Sequence, residues 1–189
     1  MPAAAVRRAL LFGLAFSACA LALVACGGRG DTPSSATDKA VDAEVLNEIL
    51  ARQTAAVAVY DESLAGLGGR SLALARVFRA QEQEHVDAVL KALRGLKSPA
   101  EPSPEPVDTS GLKSERERLV FIYETESATI DEELSAISKL EAAWPRSLLA
   151  STVANQAQHL TLLRQALGEG PLASVPVPFE NGTAAAPAE

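Results

Sequence analysis

Beyond residue 26 the chain has no cysteine; its two, Cys19 and Cys26, both lie near the N-terminus. The remainder therefore holds no disulfide and no thiolate-ligated metal or cluster. Aromatic side chains are scarce, 4% of 189 residues. With Ala and Leu abundant, that scarcity favours helices over a β-sandwich. Basic side chains are outnumbered, 17 Lys and Arg against 24 Asp and Glu, so the basic face that grips nucleic-acid phosphates is missing. Neither a phosphate-binding glycine loop nor a Gly-x-Ser-x-Gly nucleophile turn occurs. After residue 25 no run is long and apolar enough to span a bilayer. The length accommodates one ordinary domain with tails.

The first thing present is an address. Arg7 and Arg8 precede an almost wholly apolar stretch, Ala9 to Ala25, which closes on Leu23-Val24-Ala25-Cys26. A positive start, an apolar core and a small residue before the cut define residues 1–25 as a secretory signal. An ordinary signal or an uncleaved anchor helix is the alternative, although about 17 apolar residues are marginal for a span. The ending resembles the lipobox of bacterial lipoproteins. That resemblance implies acylation of Cys26, palmitate included, and an extracytoplasmic protein lipid-anchored to a bacterial cell membrane. Removing residues 1–25 takes two arginines and no acids, leaving 15 basic against 24 acidic side chains, a balance of −9. Residues 26–40, rich in Gly, Ser, Thr and Asp, read as a flexible tether.

Residues 41–168 read as an all-α, antiparallel four-helix bundle. The first helix runs from Val41 to about Leu67, where Gly66, Gly68 and Gly69 break it. The second spans Ser71 to Leu96 and stops at Ser98-Pro99. Ser114-Glu115-Arg116-Glu117 has the form of a capping box and opens the third, which reaches about Ala143. Pro145 suits the first turn of the fourth, which ends at Gly168, and Trp144 is placed to cap the bundle end. Both short breaks make hairpins. Between the second and third helices lie about 15 Pro-rich residues, roughly 46 Å of extended chain. A helix of about 26 residues is roughly 39 Å long, so this linker can return along the whole bundle as one long crossover. An up-down-up-down bundle is the other topology. Residues 169–189 form a Pro/Ala-rich tail in which Val175, Val177 and Phe179 could dock.

A polar layer interrupts the apolar stripes. With Gln53, Glu82, Glu126 and Gln156 as origins, positions −7, +4, +7 and +11 fall on the same helical face. Fifteen of these sixteen positions are apolar or Tyr; Glu133 is the exception. Glu124 and Glu84 fail the same test, since their frames give solvent faces. The two histidines follow three residues after an origin: Glu82 with His85, Gln156 with His159. Glu133 lies two turns from Glu126, roughly 10 Å along the axis, too far to join the layer. Tyr60 is on the inward stripe and reads as a core tyrosine with its hydroxyl satisfied. Buried carboxylates beside imidazoles call for a metal, with iron, manganese or zinc suited to the donors. The rival is a metal-free network of Glu, His⁺ and Gln that holds the helices in register.

These residues, together with Leu46-Asn47-Glu48, Glu82-Gln83-Glu84-His85-Val86 and Ala157-Gln158-His159, resemble the ferritin-like superfamily over about residues 41–168. The chain looks closest to the exported ferritin-like domain lipoproteins of actinobacterial type. The resemblance implies a di-metal centre with one Glu from each of helices 1 and 3 and Glu-x-x-His from each of helices 2 and 4. Glu82, His85, Glu126 and His159 match that pattern; Gln53 and Gln156 stand where it has glutamates. The implied charge falls from −4 to −2, which suits one divalent ion held by Glu82, Glu126, His159 and His85, or no metal at all. Three readings follow: a weakened metal site, a metal-free bundle acting as an envelope interaction or scaffold domain, and a di-iron oxidase using amide ligands. Such folds host storage, oxidation, reduction and no chemistry, so enzymatic activity stays open. The expected partner is the membrane, with no nucleic acid, and the chain is a monomer or dimer.

Overall fold

The computed structural model describes residues 35–102 and 106–175. The signal segment, Cys26, Val177 and Phe179 lie outside the described residues. Four helices build the fold: α1 Ala36–Leu64, α2 Gly69–Leu96, α3 Glu115–Lys139 and α4 Ala143–Ala166. There is no strand among the described residues.

Helix α1 starts ahead of Val41, so residues 36–40 are helix rather than tether. The cause is a capping box. Ser35 Oγ accepts from the Asp38 amide at 3.0 Å, and the Asp38 carboxylate accepts from the Ser35 amide at 2.8 Å. Ser114 and Glu117 form the expected box at the head of α3. α3 stops at Lys139, short of Ala143, because Leu140 turns extended. The buried Asp42 carboxylate then accepts from the amides of Glu141 at 2.6 Å and Ala142 at 3.2 Å, pinning this turn to α1. Pro145 is buried in the first turn of α4, where its missing N–H is no loss. Trp144 does not cap the bundle; it is 46% exposed. Val175 is 56% exposed and does not dock.

Hydrogen bonds establish the long crossover. Where α2 ends, the Asn47 side chain donates to the Pro99 carbonyl and accepts from the Glu101 amide, near the start of α1. Where α3 begins, Glu115 accepts from the Gly68 amide and the Ser71 hydroxyl, at the opposite end. The linker therefore returns along the bundle. α1 and α3 run antiparallel, with Asp42 meeting Glu141, Arg52 meeting Glu132 and Tyr60 meeting Glu126. The up-down-up-down alternative is excluded, because it would place α1 and α3 parallel.

Two apolar cores fill the bundle. One gathers Leu46, Leu50, Val89, Leu93 and Leu149; the other Phe78, Leu119, Ile122, Tyr123 and Leu163. Between them lie the fully buried side chains of Gln53, Glu82, Glu133 and Gln156, with Glu126 and His159 each 1% exposed. Helical periodicity places each of these inward, since each shares a stripe with core residues above and below.

Candidate metal centre

The centre is built on three helices. α2 brings Glu82, α3 brings Glu126 and α4 brings His159, each offering a ligand atom within 4.8 Å of the others. His159 Nδ1 lies 3.1 Å from Glu126 Oε1 and 3.4 Å from Glu82 Oε1. His85 Nδ1 faces the same Glu82 oxygen at 3.3 Å, its side chain 13% exposed at the edge of the cluster. Glu84 and Glu124 are exposed. The Phe78 ring stacks on His159 at 3.9 Å between centroids and fixes the plane of the imidazole.

Neighbouring polar groups hold this set. The Tyr60 hydroxyl donates to Glu126 Oε1 across 2.6 Å. It is a core tyrosine with a satisfied hydroxyl, and the carboxylate that satisfies it belongs to the centre. Gln156 Nε2 donates to Glu82 Oε2 at 3.3 Å. Gln81, unmarked by periodicity because it is one residue off the inward stripe, places Oε1 2.7 Å from His159 Nε2. An amide oxygen there requires a proton on Nε2, which directs Nδ1 at the two carboxylates.

The four origins do not form one layer. The antiparallel register sets Gln53 against Glu133, not Glu126: Gln53 Nε2 donates to Glu133 Oε1 at 2.7 Å, and both side chains are fully buried. What is overturned is the placing of Gln53 beside Glu126; Glu133 is buried against Gln53 and, as expected, lies outside the converging group of Glu82, Glu126 and His159.

The charges are strongly coupled. Burial pushes the Glu82 carboxyl up, but the facing imidazoles of His159 and His85 outweigh it and bring it to about 2. Burial also disfavours His159⁺, and the Glu126 and Glu82 carboxylates more than compensate, raising His159 to about 9. Burial and then the Glu82 charge raise Glu126. Burial raises Glu133 to about 8, against the Gln53 hydrogen bond and with the repulsion of Glu82 and Glu126. Tyr60 is held well above its usual 10 by burial and by the Glu126 charge. In the metal-free protein this is a network of carboxylates around one imidazolium. Several atoms stay unused: Glu82 Oε1, Glu126 Oε2, Gln156 Oε1, Gln53 Oε1 and Glu133 Oε2 accept no hydrogen bond among the described residues. Buried acceptors left bare are costly, and the bare oxygens of the Glu82 and Glu126 carboxylates that face the His159 imidazole are the donor chemistry of a divalent transition metal.

No family model and no curated protein matches the chain. Among solved structures it is similar to a protein described as a ferritin-like, diiron-carboxylate protein from Bacillus anthracis str. Ames. The identity is 22%, the TM-score 0.57, and the match covers 69% of this chain and 98% of that one. The fold is ferritin-like.

Proposed function

We propose that this chain is an envelope protein, held to a bacterial cell membrane by a lipid on Cys26, whose buried centre binds a divalent metal ion at Glu82, Glu126 and His159. The observation that carries the metal reading is the closure of these three ligand atoms within 4.8 Å, from three different helices, in a buried site. The residues fit such an ion: two carboxylates with a bare oxygen each, and an imidazole whose Nδ1 is turned inward by Gln81. When bound, iron or manganese supplies redox and Lewis-acid chemistry there, and zinc Lewis-acid chemistry alone. The chain's own residues exclude water, hold the ligands in place and keep the Tyr60 hydroxyl on Glu126. The solved ferritin-like neighbour is described as a diiron-carboxylate protein; with Gln53 and Gln156 in place of two glutamates, this centre is a reduced version of such a site. Support for the anchor is the sequence Leu23-Val24-Ala25-Cys26 behind its apolar run.

A metal-free scaffold is the second reading. It is favoured by the two glutamine amides, which donate to Glu133 and Glu82 and so supply protein partners to two of the three carboxylates. The test is to load the full chain with iron(II), manganese(II) or zinc(II) under argon, remove free metal and count ions per chain. Binding in the wild type, lost in Glu82→Ala and His159→Ala, supports the metal reading. No bound ion with any metal leaves the scaffold reading. Incorporation of labelled palmitate, abolished by Cys26→Ser, tests the anchor.

A further inference from the structure

We infer that the bundle stands on the membrane by the end where α1 begins, with the Trp144 ring seated in the lipid headgroup layer. The inference rests on the lipid anchor at Cys26 proposed above and adds to it the face of the bundle that the bilayer meets.

Trp144 is the one tryptophan of the chain. It lies in the first turn of α4 and is 46% exposed, whereas its neighbour Pro145 is buried. The turn that carries it is fixed. Asp42, in the second turn of α1, accepts from the amides of Glu141 and Ala142, and Arg146 donates to the carbonyls of the same two residues. Trp144 is thereby held outward at the end of the bundle where α1 starts. An indole suits the membrane–water interface, where its ring leaves water and its N–H keeps a polar partner. The exposed charges of this end are of both signs, Lys39, Lys97 and Arg146 against Glu44, Glu101 and Glu141. The ring, rather than a basic patch, therefore makes the contact.

The length of the tether decides which end can meet the bilayer. Eight residues, Gly27 to Ser34, separate Cys26 from Ser35, the cap of α1. Such a segment spans at most about 32 Å, so the start of α1 stays within that distance of the anchored lipid. α1 has 29 residues, about 44 Å of helix. A bundle standing on its opposite end, where Leu172 is 91% exposed, would lift the start of α1 beyond the reach of the tether. Two orientations remain, upright on the α1 end or lying on a flank. The flanks offer charge, as Arg76, Glu84, Asp87 and Lys91 do along α2. The upright orientation offers the indole.

The test reads the tryptophan itself. The lipid-bearing full chain is reconstituted in phosphatidylcholine vesicles, with brominated phosphatidylcholine as quencher in the bilayer and iodide as quencher in water. A variant carrying Trp144→Phe and Leu172→Trp moves the single reporter to the opposite end. Both substitutions fall on exposed side chains and leave the core intact. Expected on vesicles are emission shifted to shorter wavelength, loss of emission with brominated lipid, and protection from iodide; the moved reporter shows none of these. A chain that floats with the vesicles while Trp144 stays open to iodide and untouched by brominated lipid overturns this inference and leaves the anchor standing. Equal quenching of both reporters overturns it too, because the bundle then lies on a flank. A blue shift that follows protein concentration without vesicles makes Trp144 a contact between copies, and that also overturns it. No lipid on Cys26 overturns the anchor and this inference together.

Discussion

His159 Nε2 lies 2.7 Å from Gln81 Oε1, and that contact decides which face of the imidazole meets the carboxylates. The amide oxygen holds the Nε2 proton, and Nδ1 is left toward Glu126 and Glu82. Replacing Gln81 with Leu removes the acceptor while keeping most of the volume. Loss of such a supporting hydrogen bond typically weakens a metal site about 10- to 100-fold. Chelator competition on wild type and Gln81→Leu should show that loss; equal affinities would mean that Gln81 does not orient the ligand.

Tyr60 acts on the other carboxylate. Its hydroxyl is the donor to Glu126 Oε1 at 2.6 Å, in a place with 1% exposure for both residues. Tyr60→Phe removes that donor and little else. A hydrogen bond to a charged group contributes about 1.5–3 kcal/mol, so urea unfolding of the metal-free variant should show a loss in that range.

The pH dependence of the metal-free chain has a definite sign. His159 titrates at about 9 in the folded protein against an ordinary 6.5. Its contribution is complete below 6.5 and is lost as pH rises through 9. Glu133, raised to about 8 from 4.5, holds a proton in the folded state that the unfolded chain has released, so stability also falls as pH rises across that span. Glu82, lowered to about 2, contributes above 4.5 and loses that contribution as pH falls through 2. Urea midpoints of the metal-free protein should therefore be highest near about pH 5 and decline toward pH 9. Metal affinity should move the opposite way, since ions compete with the His159 proton.

Asp42 supports the fold far from the centre. Its two carboxylate oxygens accept from the amides of Glu141 and Ala142 where α3 turns into α4. Asp42→Ala leaves both part-buried amides without that acceptor, a cost of about 1 kcal/mol. Equilibrium unfolding measures it, and metal content per folded chain should stay unchanged.

Much of this arrangement is legible in the sequence, because a helix stripe reports which of two neighbouring acids points inward. Glu82 is buried and Glu84 exposed, Glu126 is buried and Glu124 exposed, as the periodicity predicts. The length of the Pro-rich linker made the crossover feasible, and the contacts of Asn47 and Glu115 show it. Register between helices is another matter. Whether Gln53 faces Glu126 or Glu133 depends on how far α1 slides along α3, and neither stripe carries that information. Gln81 was hidden for a related reason: it is one residue off the stripe and reaches His159 only because its side chain is long. Ser35-x-x-Asp38 was a readable capping signal, masked by the Gly and Ser around it.

The most direct test of the account is anomalous diffraction from crystals of the chain loaded with manganese(II) or zinc(II). The account predicts a strong peak within about 2.0–2.2 Å of a Glu82 oxygen, a Glu126 oxygen and His159 Nδ1. Crystals from metal-saturated protein with no peak among these three residues, and with His159 Nδ1 still resting on Glu126, would contradict it.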